Sequence, residues 1–243
     1  MQENEIFRNL TTIPPIFVRI DGRSFHRLAR VLSLKKPFDD RFHAAMCAVC
    51  AAFLQESGLS PQFAYTFSDE INLYFRHLPF NGRVEKIDSV CASFAASALT
   101  LELEIEIPVS FDARIITVSP GDVVEYLHTR QGEAWRNHIN AYCQQALIEE
   151  GMTPREAADT LYGLPTRDLH EMMFQRGVNL AKTPSWQRRG ALIRKTTEKK
   201  MGFNPKTGEK VETERPRIRI LSDLPLFTSP EGERLVRSLL ATE

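Results

Sequence analysis

The chain has no excess of either charge: lysine plus arginine and aspartate plus glutamate each total 31 in 243 residues. No global field therefore draws it to nucleic acid or to a membrane surface, although a neutral total can hide a basic face. No apolar run approaches the roughly 20 residues that span a bilayer. The start, Met1-Gln-Glu-Asn-Glu5, is polar and acidic, unlike a secretory leader. A soluble cytoplasmic protein, with no membrane partner, is the expectation. Neither G-x-x-x-x-G-K-S/T nor G-x-G-x-x-G occurs, so P-loop and dinucleotide-binding readings fail. The six histidines, His26, His43, His77, His128, His138 and His170, lack metal-protease spacing. Internal repeats and low-complexity tracts are absent too.

Cysteine is scarce. Of Cys47, Cys50, Cys91 and Cys143, the first two form a C-x-x-C, but no second such pair exists to complete a four-ligand zinc site. They lie in the alanine-rich Phe42-His-Ala-Ala-Met-Cys-Ala-Val-Cys-Ala-Ala-Phe-Leu54. That spacing reads as a buried helix with small core cysteines.

What is present begins with Ile16-Phe-Val-Arg-Ile-Asp-Gly-Arg-Ser-Phe-His-Arg27. Its β-branched and aromatic residues predict a strand over 15–20, ended by Asp-Gly. Lys35-Lys-Pro37 breaks the chain, and Asp39-Asp40 starts a helix expected to run from about Asp39 to Glu56 and to stop near Ser57-Gly58. Strands are expected over Gln62–Phe67 and Ile71–Phe75, joined through Ser68-Asp69-Glu70. A long helix follows over Arg83–Leu101, and a fourth strand over Phe111–Val118. This β-α-β-β-α-β order predicts an α+β protein built on a ferredoxin-like domain, with the first and third strands as central neighbours. That arrangement brings Asp21 and Asp69 together at one sheet edge.

Beyond Pro120 the pattern predicts helices over Gly121–Arg130 and Gly132–Glu150, another starting at Thr153-Pro154, one over Arg167–Gln175 and a last one over Pro230–Ala241. From Arg189 the chain reads as two polar strand-like arms around a turn at Asn204–Gly208. Residues Arg188 to Arg219 hold eleven lysines or arginines against four glutamates. Such a stretch suits a polyphosphate backbone, and it is equally what an ordinary solvated hairpin would carry. The expected division is a catalytic core over residues 1–130 and a helical and hairpin extension over 131–243.

Paired carboxylates with substrate phosphates suit two Mg2+ ions, which activate a hydroxyl and neutralise a leaving group. Gly22 leaves its backbone open to a metal or a triphosphate. Against this, Asp-Gly is common in plain turns. Lys36, Arg83, Lys86 and Arg114 flank the proposed site. Each is a candidate phosphate clamp or simply a surface cation.

The segments Arg19-Ile-Asp-Gly-Arg-Ser-Phe-His26, Lys36-Pro37, Phe67-Ser-Asp-Glu70, Phe111-Asp112 with Arg114, and Arg130-Gln131 give the chain a resemblance, over roughly Ile16 to Ala146, to the histidine-tRNA guanylyltransferase family. That family resembles polymerase palm domains and adds nucleotides to tRNA 5′ ends in the 3′-to-5′ direction. The resemblance implies Asp21 and Asp69 as metal carboxylates with Gly22 as a backbone ligand, and Ser68 and Lys36 beside them at the activation step. It implies Arg19, Asp21, Gly22, Arg23, Ser24, Phe25, His26, Ser68 and Asp69 around the nucleotide, with Arg83 and Lys86 on its triphosphate. With the basic stretch, it puts Arg130, Arg136, Asn137, Arg188, Arg189, Arg194, Lys195, Lys199, Lys200, Lys206 and Lys210 among the expected tRNA contacts. ATP or GTP would activate the RNA 5′-phosphate, other nucleoside triphosphates would be added, and a homo-oligomer, dimer or tetramer, is implied.

Members devoted to histidine tRNA carry H-I-N-N-L-Y-N where this chain has Trp135-Arg-Asn-His-Ile-Asn-Ala141, and His138-Ile-Asn140 stands out of register. The pattern is similar to the family's "like" branch, which implies template-dependent repair of 5′-truncated tRNA in place of obligatory guanosine addition. A strict histidine-tRNA guanylyltransferase, a nucleotidyl cyclase on a similar palm and a non-catalytic tRNA-binding protein are the alternatives. The chain lacks the paired-glycine acidic turn of such cyclases.

Overall fold

The structure, a computed structural model, describes residues 5–203 and 208–241. Six strands form one antiparallel sheet in the order β4-β1-β3-β2-β5-β6. They are β1 (Ile16–Gly22), β2 (Phe63–Phe67), β3 (Glu70–Phe75), β4 (Phe111–Thr117), β5 (Ala191–Phe203) and β6 (Lys210–Leu221). The expected neighbours β1 and β3 do pair, in a register that sets Asp21 opposite Glu70.

Alternation along the strands splits the core into two layers. Ile16, Val18, Ile20, Ile71, Leu73 and Ile193 face one way, against α1 (Phe25–Val31), α2 (Asp40–Gln55) and α3 (Val84–Glu102). Phe17, Phe63, Tyr65, Phe67, Tyr74 and Leu192 face the other way, against α4 (Val123–Glu149) and α8 (Pro230–Leu240). With both faces covered, every residue of β2 and β3 is buried, which is why these strands read as apolar runs instead of alternating.

Local chemistry explains α2. Asp39 caps it by accepting from the Phe42 amide at 3.0 Å and the Lys35 amide at 2.8 Å. Its buried face includes Cys47 and Cys50, both free thiols, as the core reading expected. Thr153 and Glu156 form a capping box on α5 (Pro154–Leu161). The helix α6 (Thr166–Gln175) packs on the far half of α4 through Ile139, Cys143, Leu169 and Met173.

Two expectations are corrected. The helices expected over 121–130 and 132–150 are one helix, α4, with Gly132 inside it. A helical glycine costs only about 1 kcal/mol relative to alanine, and neighbouring Gln131 anchors the turn. Its amide donates to the Pro225 carbonyl at 3.1 Å, and its carbonyl accepts from the Phe227 amide at 2.9 Å. The division expected between residues 130 and 131 therefore falls within a continuous helix. The segment after Gly22, where the sequence pattern assigns no helix, contains the helix α1. It enters through Ser24, a residue type that favours N-caps, but in a left-handed conformation (φ 59°) and without a side-chain cap hydrogen bond. Of the turn expected at Asn204–Gly208, only Gly208 lies within the described residues, and Lys206 lies outside them.

Candidate active site

The site begins where β1, β3 and β4 end together. Asp21 stands opposite Glu70 on one side and Asp112 on the other. Phe67 and Glu70 pair across a two-residue turn, and Ser68 takes the left-handed backbone (φ 50°) that so tight a reversal needs. The turn is locked to β1 by the Gly22 amide, which donates to the Asp69 carbonyl at 3.2 Å. A side chain at Gly22 would put its Cβ 2.5 Å from the Phe25 ring and 2.9 Å from Asp69 Cβ. Glycine is therefore required by close approach.

Four carboxylate residues, Asp21, Asp69, Glu70 and Asp112, lie along this edge without converging on one point, and they fall into two kinds. Glu70 is buried and turned inward. It takes Arg130 Nε at 2.9 Å and Nη2 at 2.5 Å, and Asn72 Nδ2 at 2.8 Å, while Tyr126 Oη donates to Asn72 at 2.6 Å. Asp112 pairs with Arg114 at 2.7 Å on the surface. Neither Asp21 nor Asp69 has a lysine or arginine ion-pair partner among the described residues. Burial first, then the Asp21 carboxylate, push Asp69 up to about 6, and only the Ser68 hydroxyl, donating at 3.1 Å, and its own backbone oppose the rise. Carboxylates crowded and left without counter-cations are the donor set a divalent cation would relieve. No group of three histidine, cysteine, aspartate or glutamate side chains converges among the described residues.

Beside Asp69 opens a cavity of about 290 Å3. Ser68, Asp69, His26 and Lys36 are at its polar side, and Phe25, Phe38, Phe42 and Trp186 line the remainder. The Trp186 ring, on the short helix α7 (Ser185–Arg189), stacks on His43 at 4.1 Å between centroids. Burial lowers the His43 pKa, so this ring is neutral at physiological pH. Asn137 and Ala141 of α4 close the far side. Flat apolar walls next to a cation and a carboxylate pair suit a nucleotide, base against the aromatics and phosphates towards Lys36.

The structure thus gathers Asp21, Gly22, Phe25, His26, Lys36, Ser68 and Asp69. Arg23 and Ser24 turn to a neighbouring groove with Arg27 and residues 107–110. Arg19 projects toward α4, its Nε buried without a partner. Arg83 and Lys86 are not in this group. They open α3 beyond the other end of β3, where Lys86 sits 4.8 Å from the Phe80 ring centroid.

Several expected RNA contacts have other work. Arg130 holds Glu70, and Arg136 pairs with Glu133. Arg188 Nε donates to the Thr183 carbonyl at 2.9 Å, and Arg189 Nη1 to the Leu224 carbonyl at 2.7 Å. Asn137, expected on RNA, lines the cavity. Arg194 and Lys195 line a second cavity, while Lys199, Lys200 and Lys210 are exposed on β5 and β6. The sequence reading missed Phe38, Phe42 and Trp186 as residues of this cavity. No local signal marks them, because Trp186 comes from a segment over a hundred residues away in sequence.

Comparison with known proteins places this geometry. Residues 1–119 match the family model described as tRNAHis guanylyltransferase, and residues 121–222 match the one described as the Thg1 C terminal domain. A probable tRNA(His) guanylyltransferase of Dictyostelium discoideum is 31% identical over 195 residues, 73% of this chain and 74% of that protein. The Drosophila melanogaster protein of the same description is 28% identical, over 73% of this chain and 66% of its own length. For the Arabidopsis thaliana tRNA(His) guanylyltransferase 1 the identity is 29%, and the match covers 72% of this chain but 33% of the relative. A bacterial tRNA(His) guanylyltransferase (Thg1)-like protein in complex with ATP superposes with a TM-score of 0.77 at 21% identity, covering 100% of this chain and 97% of that one. The Saccharomyces cerevisiae tRNA(His) guanylyltransferase gives 0.66 at 24% identity, over 75% and 86%. At these identities the two structures establish a shared fold.

Proposed function

Because the chain belongs to the tRNA(His) guanylyltransferase family, we propose that it is a 3′-to-5′ nucleotidyltransferase that adds nucleotides to tRNA 5′ ends. The observation that carries this reading is the uncompensated Asp21–Asp69 pair, of which Asp69 lines the aromatic cavity. In this reading β1 to β4 with their helices serve as a ferredoxin-like polymerase palm, and β5 and β6 as a basic hairpin for RNA.

The chemistry has two balanced steps. An oxygen of the RNA 5′-monophosphate attacks the α-phosphorus of ATP or GTP and displaces pyrophosphate, leaving a 5′-to-5′ phosphoanhydride. The 3′-hydroxyl of an incoming nucleoside triphosphate then attacks the RNA-side phosphorus, forms the phosphodiester and expels the mononucleotide. Asp21, Asp69 and the Gly22 carbonyl would hold Mg2+, which would supply charge neutralisation for both steps. The chain's own residues do the positioning. Phe25, Phe38, Phe42 and Trp186 form the wall for the base of the activating nucleotide, Lys36 and His26 face its phosphates, and Ser68 fixes the Asp69 carboxylate. Phosphoryl transfer needs little more than such placement and charge.

Within the family we favour template-dependent repair of 5′-truncated tRNA over strict guanosine addition to histidine tRNA. In support, His138 and Ile139 are buried, and His138 Nε2 is engaged with the Thr183 hydroxyl at 2.8 Å, so this His-Ile pair is not presented to RNA. The test is incubation of 5′-truncated and intact tRNAs with ATP, Mg2+ and all four nucleoside triphosphates. Repair predicts extension that follows the opposing acceptor strand. Guanosine addition to intact histidine tRNA alone would establish the strict activity, and product that survives Asp21→Ala and Asp69→Ala would remove the site from the reaction.

A further inference from the structure

A second cavity, of about 430 Å3, opens at the opposite end of the sheet from Asp69. It lies where β2 begins, β3 has just ended and β5 passes alongside: Gln62 is joined to Tyr74 by a backbone bond of 2.8 Å, and Phe63 is in register with Arg194. Its charged lining is of one sign. Arg76, Arg194 and Lys195 contribute to it, His77 lies beside them, and no aspartate or glutamate lines it. None of the four has a carboxylate ion-pair partner among the described residues. Arg194 Nε is buried with no acceptor, so one donor of a guanidinium has lost water without gaining a partner. The neighbouring C-terminal carbonyl of α8, which would repel an anion, is occupied: Leu239 accepts from Gln62 Nε2 at 2.8 Å.

Basic side chains without carboxylate partners around a cavity, one of them Arg194 with its Nε shielded from water, match the needs of a phosphate group, which takes several donors and two forked ones best. The phosphate could belong to an RNA backbone or to a free nucleotide. Position favours RNA. Glu70 to Arg76 spans about 20 Å at roughly 3.3 Å per strand residue, too far for a triphosphate whose α-phosphorus reacts at Asp69. The cavity is also the root of the ribbon in which Lys199, Lys200, Arg215, Arg217 and Lys210 follow. We propose that Arg76, His77, Arg194 and Lys195 form an anchor for a backbone phosphate of the bound tRNA, remote from the reaction centre. This rests on the tRNA-directed activity proposed above. It adds Arg76 and His77, which no motif or composition singles out.

The experiment is tRNA binding across 50 to 200 mM KCl for wild type, Arg76→Gln/Arg194→Gln and the surface variant Lys195→Gln, with MgATP binding by equilibrium dialysis and melting curves as companions. Each lost phosphate contact makes the log-affinity against log-salt slope shallower by about one. The double variant is expected to lose about one in slope, the Lys195 variant to shift the same way, and MgATP binding to stay unchanged. An unchanged slope in both folded variants overturns the proposal. Loss of MgATP binding in step with tRNA binding also overturns it, assigning the cavity to free nucleotide. Wild type that fails to bind tRNA at all would bring down the proposed function and the anchor together, and that result is visible before any variant is made.

Discussion

Replacing Asp69 with asparagine should make the metal-free protein more stable while removing its activity. Asp69 is pushed from its ordinary 3.8 up to about 6 by burial and by Asp21. A raised carboxyl pKa means that the folded state holds the proton more tightly than the unfolded chain. Stability therefore falls as pH rises from about 4 to about 6, and the full cost is present above that. A shift of about two units corresponds to at most about 3 kcal/mol. The group keeps some contact with solvent, so about 1–3 kcal/mol is the fair expectation. For a chain of this size that raises the melting temperature by roughly 2–10 °C. Asparagine keeps the shape and can still accept from Ser68, so the gain isolates the charge. The assay is thermal melting of both proteins in EDTA from pH 4 to pH 8. The difference should be near zero at pH 4 and reach its plateau by about pH 7. A variant no more stable than wild type at pH 8, or a gain that persists undiminished at pH 4, would refute the reasoning that the pair is an electrostatic liability kept for catalysis.

Gly22→Ala forces a Cβ to within 2.5 Å of the Phe25 ring and should cost about 1–3 kcal/mol, together with most activity. Urea unfolding measures it, and a wild-type midpoint would show that Phe25 yields freely. Glu70→Gln leaves the nearly buried Arg130 without its counter-charge and should destabilise by about 3 kcal/mol, with partial recovery in Glu70→Gln/Arg130→Met. Equal melting of the single variant and wild type would mean that the pair is not holding α4 to the sheet. Burial pushes the Cys47 thiol up to about 12 and the Cys50 thiol well above its ordinary value, so neither should react with an aromatic disulfide reagent at pH 8 until the protein is denatured. Rapid modification of two thiols in the native state would reopen a thiol role for the C-x-x-C.

What was legible in the sequence was local. Strand β1 announces itself through β-branched residues and the Asp21-Gly22 stop, and α2 through Asp39. The order of these elements then brought Asp21 to Asp69 without any long-range information, because a split β-α-β arrangement leaves few ways to pair the strands. Contacts between distant segments were the illegible part. Arg130 reads as an RNA contact until its helix is laid across β3, where it meets Glu70. Gly132 reads as a break until Gln131 is tied to residues 225 and 227. Arg83 and Lys86 look close to Asp69 in sequence, but β3 carries the chain the length of the sheet before they appear.

The same long-range contacts explain why the catalytic edge depends on the C-terminal half. If residues 1–119 formed the site unaided, the cavity beside Asp69 would be open on the side that Asn137, Ala141 and Trp186 now close. Those three residues come from α4 and α7, and α7 is itself fixed to α4 through Tyr142, whose hydroxyl donates to Gln187 at 2.7 Å. On the opposite wall, Phe38, next to the Lys36-Pro37 bend, lies against His138, Tyr142 and Trp186. The segment that carries Lys36 is therefore clamped between α2 and the C-terminal helices. The carboxylates come from the first half of the chain with Phe25, Phe38 and Phe42, but Trp186, which completes the aromatic wall, and the support for Lys36 come from the second. In a fold where catalysis is mainly placement, separating the halves at Pro120 should leave a core that retains Asp21 and Asp69 side by side yet has lost its means of holding a nucleotide over them.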